Sequence, residues 1–140
     1  MKKSSDTDQS GLCRIPCDAD VETTVNHLVD VLNDQGFAIL ARVNHAAAAA
    51  KIGEVLGPTE LVLFGKPQAG TPLMQTNQTV GIDLPQKMLI WEDAEGKTWI
   101  AYNDPCYLSN RHDIDGHDQL IENIKNQLES IAMAVRSGLS

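Results

Sequence analysis

Two runs in the second half of the chain, Lys87 to Glu92 and Lys97 to Tyr102, are rich in β-formers and are separated only by Asp93-Ala94-Glu95-Gly96. A four-residue connector ending in Gly turns the chain straight back on itself, so these runs predict a hairpin of antiparallel strands. Parallel strands would need a crossover of a dozen or more residues. Trp91 and Trp99 fall inside the two runs, where paired aromatics usually pack across the ladder.

The remaining elements are ordered around that hairpin. Leu12 to Pro16 is a short strand candidate, and Asp18 or Asp20 caps a helix whose stripe is Val21, Val25, Leu28, Val29 and Leu32. Gly36 stops that helix. Phe37, Ile39, Ala41 and Val43 then alternate, which predicts a strand with one strongly buried face. Asn44 caps an Ala-rich helix from His45 to Leu56, ended by Gly57-Pro58. Glu60 to Gly65 is a strand, and Thr71-Pro72 reads as an N-cap followed by proline at the first helical position. The helix so begun ends at Leu84-Pro85, because a residue before proline avoids helical angles. A short helix over Cys106 to Asn110 precedes a long one carrying Leu120, Ile121, Ile124, Leu128, Ile131, Ala132 and Val135 on one face. The order predicts an α+β fold, a mostly antiparallel sheet of about five strands with helices on one face. A doubly wound α/β fold would need buried, continuously apolar strands, and these alternate or carry charges.

With 140 residues, 42% of them hydrophobic and 21% charged, the chain has the composition of one globular domain. Residues 1 to about 10 read as a disordered tail and 11–140 as the domain. The formal charge of −8, with no basic run longer than Lys2-Lys3, argues against nucleic acid as a partner. No apolar run approaches the roughly 20 residues of a membrane span, and polar residues follow Lys2-Lys3 where a signal peptide would be apolar. The expected location is the cytoplasm, or outside it for a mature fragment that has lost its signal. Cys13, Cys17 and Cys106 are too few and too oddly spaced for a disulfide framework or a zinc knuckle, and no metal or cofactor is expected.

LVLFGKPQAGTP, from Leu61 to Pro72, imitates a phosphate-binding loop, with two glycines at the right spacing. The nucleotide motif needs Lys after the second Gly and a hydroxyl after that. Thr71 and Pro72 occupy those places, and Pro67 removes a backbone donor, so nucleotide hydrolysis is rejected. An anion at the start of a Pro72 helix is the weaker reading that survives. Tyr102, Asn103, Asp104, Cys106, Arg111 and His112 cluster after the second hairpin strand, as a polar pocket wall or as ordinary Asn-Asp-Pro turn chemistry. His112 and His117 flank an acidic loop without the spacing of a helical metal pair. Asp83, Glu92, Asp93 and Glu95 could do acid–base work only if held at a defined separation, and the last three are expected to be solvated at the hairpin tip.

The segments GFAILARVNHAAAA, LVLFGKPQAGTPLMQ, IDLPQKMLIWED and WIAYNDPCYLSNRH, in that order, resemble the bacterial family called domain of unknown function 302. The resemblance spans roughly residues 18 to 136. It implies a TATA-binding-protein-like arrangement of curved sheet and helices, and a homodimer; it implies no activity and no catalytic residues. The functional expectation is a non-catalytic module that binds a small molecule, an anion or a partner, with His45, Thr71, Gln75, Tyr102, Asn103, Asp104, Arg111 and His112 as the candidate ligand-binding set. The alternative is a small enzyme or metal-dependent site centred on Cys106 and His112, with Asn103, Asp104 and Arg111 as orienting groups.

Overall fold

The computed structural model describes residues 6–137. The hairpin forms as expected, between β5 (Gln86–Glu92) and β6 (Thr98–Asn103). Around it lie β1 (Asp6–Thr7), β2 (Leu12–Cys17), β3 (Ala38–Asn44) and β4 (Thr59–Gly65), in the order β1-β2-β6-β5-β4-β3 with every pairing antiparallel. The helices are α1 (Val21–Asp34), α2 (His45–Lys51), α3 (Pro67–Thr76), α4 (Pro105–Arg111) and α5 (Asp118–Arg136), with a 3-10 segment over Gln78–Asp83. This is the α+β architecture read from the sequence.

One face of the sheet carries the core. Cys13, Ile15 and Cys17 of β2, Ile100 and Tyr102 of β6, Met88 and Ile90 of β5, and Val62 and Phe64 of β4 are all buried. Over them lie α1 and α5, which also pack on each other. Asp20 caps α1 by accepting from the Thr23 N–H at 2.8 Å, and Gly36 leaves the helix at φ +81°, a conformation that costs glycine least. The α5 stripe lies where expected, with Ile121, Ile124, Leu128, Ile131 and Val135 buried. Asp93 holds the β5–β6 turn rather than standing free in solvent: it accepts from the N–H groups of Glu95 and Lys97, each at 2.9 Å, and from Trp99 Nε1 at 2.8 Å. Those bonds keep its carboxyl below the usual range, the Trp99 bond foremost.

Four expectations change. The tail is ordered from Asp6 onward, where Asp6 and Thr7 pair with Arg14 and Cys13; residues 1–5 lie outside the described part. β3 does not bury one long face. Its register shifts between Ile39 and Ala41, so Ile39 lies opposite core residue Phe64 whereas Ala41 and Val43 lie opposite Leu63 and Leu61 of the other face. A bulge adds one residue and so reverses the alternation beyond it. The Ala-rich helix stops at Lys51, five residues early, with Gly53 at φ +78°; none of its residues is fully buried, and Ile52, Val55 and Leu56 are exposed after it. Finally, α3 begins at Pro67, not Pro72. Pro67 sits in its first turn, Pro72 lies inside it, and the 3-10 segment follows as a separate piece.

Candidate functional site

The early start of α3 places it over a hollow in the described structure. Because the chain enters a helix directly after β4, the FGKPQAG segment folds over the sheet edge instead of looping away from it. Beneath it is a cavity of about 420 Å³, within the range of small-molecule sites. Phe37, Ala38 and Leu40 wall it from β3 and its approach, and residues of the end of β4 and of α3, among them Gly65, Lys66, Gly70, Leu73 and Met74, from another side. Gly81, Leu84, Pro85 and Gln86 close a third side, and α5 supplies Ile124, Gln127 and Leu128.

Gly65 and Gly70 take no left-handed backbone angle, so they do not bend the chain out of the strand as a loop would require. Gly70 lies within α3, where a Cβ would stand 3.4 Å from the Leu84 side chain. Gly81 in the 3-10 segment meets Met74 in the same way, at 3.3 Å. Two glycines therefore let α3 and the 3-10 segment approach closely while the cavity stays open beside them. Lys66, the residue before α3, holds its ammonium 4.4 Å from the centroid of the Phe37 ring. Phe37 in turn meets Phe64 edge to face, with centroids 5.3 Å apart.

The polar groups expected to form one wall separate instead. Only Thr71 lines the cavity. His45 and Gln75 are exposed, on α2 and α3. Tyr102 is buried within β6 opposite Cys13 and Met88, and Asn103 lies opposite Leu12 at the strand end. Asp104 caps α4 by accepting from the Cys106 N–H at 3.0 Å, the turn-forming role its position allows.

Arg111 and His112 do come together, around a residue outside the ligand-binding set. Asp83, at the end of the 3-10 segment, takes His112 Nε2 at 2.6 Å and Arg111 Nη1 at 3.0 Å on the same carboxylate oxygen. His112 Nδ1 meets Thr79 Oγ1 at 2.8 Å, and Asn77 donates from Nδ2 to the His112 carbonyl at 2.7 Å. Thr79 Oγ1 also lies 3.0 Å from Asn77 Oδ1, which completes the network. A carboxylate only accepts, so His112 presents Nε2–H to Asp83. Both ring nitrogens are thus engaged in pinning the 3-10 segment to the C-terminal end of α4. The gap between these elements and α5 is only about 10 Å³, room for one water at most.

The surroundings of Cys106 shift its thiol away from the reactive thiolate. Partial burial, then the nearby Asp104 charge, push its thiol up, whereas a reactive thiol is shifted down. Burial does the same more strongly to Cys17, pushed up to about 12. Among the described residues no three His, Cys, Asp or Glu side chains gather as a metal site. The sequence signal for the Asp83 network was present as Asp83 followed by Leu84-Pro85, but the partner lies 29 residues away and no local pattern connects them.

What the fold and cavity define is an antiparallel α+β domain with one apolar hollow at the sheet edge. The chain belongs to the family described as domain of unknown function DUF302, which matches residues 14–132. A crystal structure of an uncharacterized conserved protein DUF302 from Bacillus stearothermophilus superposes with a TM-score of 0.80, covering 90% of this chain and 98% of that one at 19% identity. That likeness shows a shared fold. Curated relatives are 42% identical over 105 residues, 75% of this chain: the fluoride-specific ion channel FluC 1 of Brucella suis biovar 1 and of Brucella abortus biovar 1. The chain spans only 41% and 39% of their lengths. None of its described helices is long and apolar enough to cross a membrane.

Proposed function

We propose that this chain is a non-catalytic binding domain whose ligand, a small and largely apolar molecule, occupies the cavity under the FGKPQAG segment. The observation that carries this reading is a hollow of about 420 Å³ walled mainly by apolar side chains. A half-open hollow of this size with a mainly apolar lining is the usual form of a small-molecule site. The engagement of both His112 ring nitrogens, by Asp83 and Thr79, supports a non-catalytic role. The channel named in the Brucella relatives stays with those proteins.

Thermal unfolding against a panel of small apolar acids, alcohols and aromatics tests the reading, since a ligand of the folded state raises the midpoint. Thr71→Trp, at an exposed helical position on the cavity wall, narrows the hollow and should reduce every such shift. A panel without any shift in the unsubstituted protein overturns it.

A second reading, assembly as a homodimer, rests on the sheet face turned away from α1 and α5. Strand alternation places Leu61, Leu63, Leu89, Trp91 and Trp99 there, with the two indoles stacked at 6.4 Å. All five are partly exposed, and Val43 beside them is 38% exposed. A second copy fits it, because a twofold axis brings the same apolar sheet face to each side. Sedimentation should give a dimer that Leu89→Lys converts to a monomer with unchanged circular dichroism. A protein monomeric up to its solubility limit removes this reading.

A further inference from the structure

We propose that the cavity selects an amphipathic monoanion: a hydrocarbon or ring body in the apolar hollow, with one carboxylate or sulfonate at Lys66. This rests on the reading of the cavity as a ligand site, and it adds the charge and shape of the ligand. The chain carries 19 acidic residues, yet no Asp or Glu lines the cavity. Lys66 is the only charged side chain among its lining residues. In a protein of net charge −8 the walls are thus locally positive.

Lys66 is also available. Its ammonium rests on the face of Phe37 and forms no ion pair with a carboxylate among the described residues. Half-burial strips part of its water while the ring supplies only a weak partner, so an incoming anion gains more here than at an open lysine. The first turn of α3 begins at this wall, and Lys66 as N-cap gives it no side-chain acceptor. The positive end of the α3 dipole therefore acts in the same direction as the ammonium. Deeper in, Leu73, Met74, Leu84 and Leu128 offer only apolar surface to the ligand body.

Octanoate, 1-octanol and octylammonium share a chain and differ in charge. Each is titrated against the protein by displacement of the fluorescent apolar anion anilinonaphthalene sulfonate, with amide shifts of Gly65 and Gly70 locating the site. Octanoate is expected to bind about fivefold tighter than octanol, the upper range for one partly exposed ion pair, and octylammonium weakest. From hexanoate to octanoate the affinity should rise roughly fourfold per methylene. Lys66→Met keeps the apolar stem and should bring octanoate down to the octanol value, leaving octanol within about twofold. Equal binding of octanoate and octanol, or tighter octylammonium, overturns the charge selection while the apolar site stands. No displacement by any of the three, with Gly65 and Gly70 unmoved, overturns the ligand site itself.

Discussion

The two ends of the sheet are built from similar strands and meet different fates. At one end β2 alternates cleanly, and Cys13, Ile15 and Cys17 all reach the core beneath α5. The chain is tied there once more, since the Asp18 N–H donates to the Arg136 carbonyl at 3.0 Å. At the other end β3 begins the same way, yet only Phe37 on its approach is buried, and Leu40 is 59% exposed. Alternation decides which side chains share a face. Coverage is decided by where a helix of 19 residues, about 28 Å long, happens to run. The open end is also the end with the cavity and the exposed Ile52, Val55 and Leu56.

That contrast can be broken or sharpened by experiment. The largest effect expected is in thiol chemistry at the sealed end. With its thiol pushed up to about 12, Cys17 at pH 8 holds on the order of a thousandfold less thiolate than an ordinary cysteine. Labelling with an aromatic disulfide in the native protein should leave Cys17 unmodified long after Cys106, read by mass spectrometry of digests. Comparable rates would mean that the β2 end opens far more often than its packing beneath α5 implies.

In equilibrium unfolding by urea, Phe64→Ala should cost about 3–5 kcal/mol, because a fully buried ring leaves a void and Phe37 loses its edge-to-face partner. A cost below 1 kcal/mol would show that the core beside the cavity is already loose. Asp83→Ala should cost about 1–3 kcal/mol, since buried His112 loses the acceptor for Nε2. A double cycle with His112→Ala tests the link: additive costs would mean that the two residues act separately. At the open end Ile52→Ser and Val55→Ser should each change stability by less than about 0.5 kcal/mol in the monomer.

The smallest effect concerns acid. Asp8, Asp20 and Asp93 are all held below the ordinary aspartate range, each chiefly by hydrogen bonds to the charged carboxylate. A depressed folded value means that stability is present above the unfolded pKa and is lost as pH falls through the folded one. The urea midpoint should therefore drop as pH falls below about 4, and Asp93→Asn should shallow that drop. An unchanged slope would remove Asp93 from the hairpin turn as an energetic partner.

Much of the fold was legible in the sequence, and its misreadings share a cause. The hairpin, α1 with its Asp20 cap, and the α5 stripe followed from local pattern, because caps, turn residues and a 3.6-residue period act within a few positions. The site was legible only as the wall from Gly65 to Met74 and as the pairing of Arg111 with His112 in one neighbourhood. Thr71-Pro72 carried a valid capping pattern, but Pro67 suits a first helical position five residues earlier even without a capping side chain at Lys66, and packing of the Gly70 face against Leu84 favours the longer helix. The β3 bulge left no mark in the alternation, since every second residue from Phe37 is apolar whichever face it takes.

The sequence by itself determined the class of fold, the strand–helix order and the family, because these rest on short-range chemistry repeated along the chain. The tertiary structure alone decided which faces are covered, where the hollow lies, and that Asp83 meets His112. Those depend on contacts between residues tens of positions apart, whose distances no local pattern encodes.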